Sequence, residues 1–599
     1  MKHITRRTVI ALTVASAGAL TVVAVAFAQS AFTQIMRYTQ TEATTARFDA
    51  QRSGWIRKDQ FINPDSAKGI SLQWKTKLDN AVGKSAALSG GIVTNGGLGI
   101  TLAYLGASGN RTIAIDMDNG HTFFNRAYST AATTASADCL SASLATPTRT
   151  TPLTPPLPGN PTQAGQSATG PNAQLPYSSA IGAPGEGIPP VRPGTYFAAP
   201  GTFFAAGGAQ PYDGTPASAV SGAAYAATGP GGGGRGGGVG RGGSGAGRGP
   251  ANADGGAGPG RGPAGGSGAG RGGGGGGGGG RGGGVTYALS NDGVLHGLTT
   301  HDGLDGIQPI PFLPSGAQAT DLIMINGMIY TSTMNGCGGA PNSVWAITPA
   351  AVPAGGAFPK AVSWTTGGTA SPRMLAFNAD GALFVATGSG TGQFADSLVS
   401  LDPASLAVKG KFTHASANFV NSPVIFRVDT RDIVAAQAAD GRIFLLDGAN
   451  LTAPLYTSTA VAGVGAYKPA GMAAWQDSTG QRWLLSTTPT SVVAYKVTLN
   501  GNSASLSQGW TLGGLKAPLA PLVVNGVVFA VSTGSSAPGA GAVLHAASGT
   551  TGQALWNSGN VIKGSVPVTS ALWNSMGQIL VGASDSTLYA FGMNMERHL

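Results

Sequence analysis

Apolar residues in this chain fall in short runs that are cut by Gly and by Asn-Gly or Asp-Gly pairs. Leu322-Ile323-Met324-Ile325 meets Asn326-Gly327 and resumes as Met328-Ile329-Tyr330. Leu522-Val523-Val524, Asn525-Gly526 and Val527-Val528-Phe529-Ala530 repeat the pattern. A two-residue Asn-Gly link between β-prone runs specifies a tight antiparallel hairpin, because both turn residues accept positive φ. The 3.6-residue spacing of an amphipathic helix is absent, so the pattern predicts an all-β chain.

The runs recur as a larger unit. Its order is strand, turn, strand ending in Thr/Ser-Gly, a strand closing on Leu/Ile-Asp, a turn, and a strand carrying Trp or Phe. Copies fall near Ala86–Tyr128, Val285–Phe312, Ala319–Trp364, Arg373–Phe412, Ser422–Thr457, Lys468–Leu512, Ala517–Asn557 and Ser565–Gly592. A four-stranded sheet cannot bury both faces alone, so such copies gain stability by nesting around a common axis. The expected fold is a β-propeller of about eight four-stranded blades, with seven as the alternative count. The last copy stops one strand short after Phe591, and Ser71–Leu78 precedes the first as an orphan. Pairing the two would close the ring and remove open edges. Trp74, Trp345, Trp364, Trp510 and Trp556 are expected as plugs between neighbouring sheets rather than as ligand platforms.

Two stretches break the pattern. Residues 1–28 place Lys2, Arg6 and Arg7 before an uncharged run from Thr8 that ends in Ala26-Phe27-Ala28. This reads as a secretory signal peptide, with an uncleaved anchor as the alternative. Residues 129–284 are rich in Pro, Ala, Thr and Gly and end in a Gly/Arg tract, too poor in apolar residues to offset the ordering entropy of a fold. They are expected as a mostly disordered insertion between the first and second blades. The remaining boundaries are a lead-in segment at 29–70, propeller at 71–128 and 285–592, and a tail at 593–599.

Charge changes the picture less than its total suggests. Of the formal +10, the leader supplies three and the tract from Pro230 to Gly284 a net five, leaving +2 for the folded part. The tract has the composition of RGG-type RNA-binding segments but lacks aromatics to stack on bases, so it reads as a spacer, and no nucleic acid is expected. No second long apolar run follows the leader, so no membrane span is expected once the leader is removed, and the location is periplasmic or secreted.

Phe48-Asp49-Ala50-Gln51-Arg52-Ser53-Gly54-Trp55, followed by Ser71-Leu72-Gln73-Trp74-Lys75-Thr76-Lys77-Leu78, resembles the opening of PQQ-like (pyrroloquinoline-quinone repeat) propeller proteins. Ser548-Gly549-Thr550-Thr551-Gly552-Gln553-Ala554-Leu555-Trp556 is similar to the ending of that family's blades, with His545-Ala546-Ala547 where Ala-Leu-Asp is usual. The resemblance covers roughly 48–128 and 285–591 and implies eight blades. In the family's dehydrogenases it implies a quinone held between a Trp and a disulfide of adjacent cysteines, with calcium on Glu, Asn and Asp and an Asp base. Adjacent cysteines do not occur in this chain. Asp116, Asp402 and Asp447 sit at the Leu/Ile-Asp turn, where capping the turn is the plainer role. The resemblance is therefore to the non-dehydrogenase branch.

Cys139 and Cys337 are the two cysteines, and in an oxidising compartment they are expected to pair, with two free thiols as the alternative. The bridge would tie the start of the insertion to the loop Asn335–Asn342. His3, His121, His296, His301, His414, His545 and His598 show no metal-ligand spacing. No catalytic, cofactor or metal residue is assigned. The expected function is that of an exported binding or scaffold module, with a protein or envelope component as partner across the loop-rich face or the central funnel. The alternative is a PQQ-dependent dehydrogenase, which would carry PQQ with calcium.

Overall fold

In the computed structural model the described residues are 45–78, 92–95, 100–128, 144–147 and 285–593, apart from 58, 60, 108, 300–301, 351, 353–355, 462–466, 468, 536, 538 and 568–570. Residues 1–28, expected as a signal peptide, Cys139 and the Gly/Arg tract lie outside them.

The described strands form eight separate sheets of antiparallel blade strands, and in every sheet but the last the blade runs from an inner to an outer strand in chain order. Blade four is representative, with Ala376–Phe377, Leu383–Ala386, Ser397–Leu401 and Val408–Thr413. Its second and third strands are buried at every position, because both faces meet a neighbouring sheet, whereas Val408–Thr413 is mostly exposed. Continuous apolar runs belong in the middle of a blade, and mixed ones on its rim. Apolar clusters join every consecutive pair of blades, including blade eight to blade one, so the ring is closed by packing. The structure is the eight-bladed β-propeller that the repeat predicts.

A strand from the other end of the chain completes the last blade. Ser71–Lys77 pairs antiparallel with Thr587–Gly592, Lys77 opposite Thr587 and Leu72 opposite Phe591. The orphan strand thus supplies the outer edge of blade eight. Trp74 fixes it: its Nε1 donates to the Met117 carbonyl at 2.9 Å and to Gln578 Oε1 at 3.0 Å, joining blades eight and one. Its ring lies over Gly120, where φ is +75° and an added Cβ would come 2.5 Å from the indole. Trp510 makes the equivalent contact between blades six and seven, donating to the Gly549 carbonyl at 2.8 Å. Trp364 is buried between blades three and four, and half-buried Trp556 packs on Phe591 of blade eight. Trp345 packs against the cluster between blades two and three, and its Nε1 donates to Thr333 Oγ1 of its own blade at 2.9 Å.

The position of the insertion needs correction. Leu144–Pro147 pairs antiparallel with Val285–Leu289 as the inner strand of blade two. The long segment therefore interrupts blade two after its first strand and does not separate it from blade one. Four residues, one of them Pro, are too short a run to stand out from the Pro- and Thr-rich sequence around them.

Candidate functional site

The inner strand of each blade leaves one edge without a sheet partner, and backbone groups buried there need hydrogen bonds. In this chain its own amino-terminal segment provides them. The carbonyls of Ala50, Gln51, Ser53 and Gly54 accept from the amides of Phe377, Ile425, Ala474 and Val523 at 2.8, 2.9, 2.9 and 2.8 Å. These amides belong to the inner strands of blades four, five, six and seven in succession. Trp55–Ile56 then runs parallel to Leu522–Val524, and Ile56 accepts from the Asn525 amide at 3.1 Å. Before Trp55 the path is neither helix nor extended strand. Arg47, Phe48 and Arg52 take positive φ, and Gly54 does so where a Cβ would meet the Arg47 guanidinium at 2.9 Å.

The side chains of this segment are charged and buried. Arg52, fully buried, donates from Nε to the Leu375 carbonyl at 2.6 Å, from Nη1 to Thr45 Oγ1 at 2.7 Å, and from Nη2 to the Asp321 carboxylate, which pins it to blades three and four. Arg47 donates to the carbonyls of Pro521 and Met472 in blades seven and six. Burial lowers its pKa to about 10, against the opposing pull of Asp49. Asp49 accepts from the Ser53 amide and hydroxyl, and burial raises its pKa although Arg57 and Ser53 favour its charged form. Asp59 accepts from the amides of Phe61 and Ile62 at 2.9 and 2.8 Å, from Asn574 Nδ2 at 3.1 Å and from the Gly577 amide at 3.0 Å, which ties the segment to blade eight. Burial raises the pKa of Asp59 as well. These groups are bonded to the chain itself, and their chemistry is structural. The described residues of 45–62 thus run along the inner edges of blades three to eight, on the side of the central funnel.

Hydrophobic patterning marks this segment only as a lead-in. The signal that marks it is charge density: six of the thirteen residues from Arg47 to Asp59 are charged, in a chain that is 10% charged overall. Buried charges require partners, so such a cluster beside a core-forming Trp points to pinned structure.

Asp116, Asp402 and Asp447 cap their turns as expected. Their Oδ1 atoms accept from the amides of Asp118, Ala404 and Ala449 at 2.9, 3.1 and 2.9 Å. Hydrogen bonds from Ser405 and Lys409 hold Asp402 at a pKa of about 2. Cys337 is buried at the start of the short turn Cys337–Gly339 and is disulfide-bonded; Cys139 lies outside the described residues.

Of the histidines, His296 sits in a polar cluster that the sequence did not reveal. Its Nδ1 lies 3.1 Å from Asp305 and its Nε2 3.2 Å from Ser290 Oγ, while Arg126 of blade one also donates to Asp305. The order Ser, His, Asp is that of a nucleophile relay. Ser290, however, is 3% exposed and also bonds Asp292 and the Val294 carbonyl, so its hydroxyl is not presented to a substrate. The cluster serves as a clasp between blades one and two, with the Tyr128 ring 4.4 Å from the imidazole.

Pyrroloquinoline quinone with calcium would need converging acidic and amide donors and a stacking wall. Among the described residues no three His, Cys, Asp or Glu side chains converge on one point. The two cysteines are not adjacent in the sequence, and the axial carboxylates Asp59 and Asp321 are taken by Asn574, Gly577 and Arg52. The described residues do not fit the group. No helix among the described residues is long and apolar enough to cross a membrane.

No protein-family model matches the chain, and no curated protein matches it. Among solved structures it is similar to the quinohemoprotein alcohol dehydrogenase from Comamonas testosteroni, at 12% identity over 94% of this chain and 82% of that one, with a TM-score of 0.48. A europium-containing methanol dehydrogenase aligns at 9% identity over 92% of this chain and 98% of that one, TM-score 0.47. The quinohemoprotein alcohol dehydrogenase ADHIIG from Pseudomonas putida HK5 aligns at 10% identity over 92% and 80%, TM-score 0.45. Likeness at this level brings neither a cofactor nor an activity to this chain, whose propeller fold stands on its own strand pairings.

Proposed function

We propose that this chain is an exported binding scaffold of the periplasm or cell envelope, whose partner is a protein or another envelope component. The observation that supports it is the filled axis. The described residues of 45–62 lie along the inner strands, where an eight-bladed ring has room for a small molecule, and their hydrogen bonds reach six of the eight blades. A ring of this kind meets partners through its loop faces and outer strands, such as Val408–Thr413.

The test is a titration of the purified protein with pyrroloquinoline quinone and calcium, followed by gel filtration and absorbance spectroscopy. The scaffold reading expects no quinone absorbance in the protein peak and no dye reduction with alcohols or sugars. A retained chromophore together with dye reduction would overturn it in favour of the dehydrogenase. Site-specific photo-crosslinking in cells from exposed Phe123 and Val408 should then give discrete adducts with an envelope component.

A further inference from the structure

We infer that Arg482 binds a small oxyanion of the phosphate class where the axial segment meets blade six. Arg482 opens the second strand of that blade, Arg482–Thr487, and Arg57 follows Trp55–Ile56 of the axial segment. The guanidinium carbons of Arg57 and Arg482 lie 4.0 and 5.6 Å from the centre of the Trp55 ring, so both cations lie against one indole. Both residues are buried, with 7% and 6% of their surface exposed.

No acid among the described residues forms an ion pair with Arg482. Its Nη2 donates to the Arg427 carbonyl at 2.7 Å and to Gln476 Oε1 at 3.3 Å, both neutral acceptors, and its Nε has no acceptor. Asp477 on the same hairpin is committed elsewhere: Oδ1 accepts from Thr479 and Gln481, and Oδ2 from Trp483 Nε1. Asp432 is bound by Arg427. Burial and the nearby Arg57 lower the pKa of Arg482 to about 9, a direction that a neighbouring negative charge would reverse. A buried guanidinium without a counter-charge is costly, and a planar fork with a free N–H edge matches a tetrahedral oxyanion.

Isothermal titration of the full chain with inorganic phosphate, at constant ionic strength in chloride, tests the site. Wild type should bind one phosphate saturably, and Arg482→Gln should weaken binding at least tenfold. Gln476→Glu places a carboxylate beside Arg482. It should raise Tm without phosphate and abolish the phosphate heat, which keeps the test decisive if Arg482→Gln does not fold. The absence of saturable binding in wild type, or unchanged binding in Gln476→Glu, would overturn the inference.

Discussion

Blades four to seven and blades one and two are built from the same repeat and held in different ways. In blades four to seven each inner strand receives a carbonyl from the axial segment, and the buried rungs run without a break. Blade two is split by the long insertion, its outer strand is only Ile310–Pro311, and the joint with blade one is a polar clasp of Arg126, Asp305 and His296 around Phe124 and Tyr128. The comparison teaches that this ring tolerates a large insertion in the blade that the segment does not stitch. Shortening or lengthening a surface loop changes closure entropy only slowly.

The largest effect is expected from breaking the stitched half. Arg52→Ala leaves Asp321 buried beside unfilled carbonyl acceptors, and should cost about 3–5 kcal/mol of unfolding free energy, read from urea denaturation. A loss below about 1 kcal/mol, the range of an exposed ion pair, would mean the segment is not pinned. Trp74→Ala, which removes the indole that joins the closing strand to blade one, should cost about 3–5 kcal/mol at the seam. On the insertion side, peptide mapping under non-reducing conditions should recover Cys139 linked to Cys337, and Cys337→Ser should cost about 2–4 kcal/mol. Two unlinked thiols would remove the proposed tie.

Replacing residues 150–280 with a short Gly/Ser linker should leave the fold intact and change stability by no more than about 2 kcal/mol. Failure to fold would show that the insertion belongs to the ring. The smallest effect concerns pH. Burial lowers the pKa of His296 and His545 below the ordinary value of 6.5. The unfolded chain then binds protons that the folded chain resists, so stability is complete above pH 6.5 and declines as pH falls toward the folded-state values. His296→Gln should flatten the decline in part, and an unchanged slope in that variant would detach His296 from it.

The fold was legible where hydrophobic order and turn chemistry agree. Asn326-Gly327 and Asn525-Gly526 mark hairpins that lie where the pattern puts them, and the missing last strand pointed to Ser71–Lys77. Leu144–Pro147 escaped notice because a strand of four residues has no periodicity to read, and its partner lies beyond the whole insertion. The axial segment was invisible as structure for a different reason. Its bonds run from carbonyls on an irregular path, with Arg47, Phe48 and Arg52 at positive φ, to strands far along the chain, and no local pattern encodes that. The charged pair at Arg57 and Arg482 was equally hidden, since it arises only when residues distant in sequence meet on one indole.

Hydrogen exchange at the inner-strand amides tests the filled axis most directly. The amides of Phe377, Ile425, Ala474 and Val523 should exchange as slowly as the buried rungs beside them, and should lose that protection when residues 45–57 are deleted. Rapid exchange at these four amides in the intact protein would mean that the axis is open, and would contradict the account.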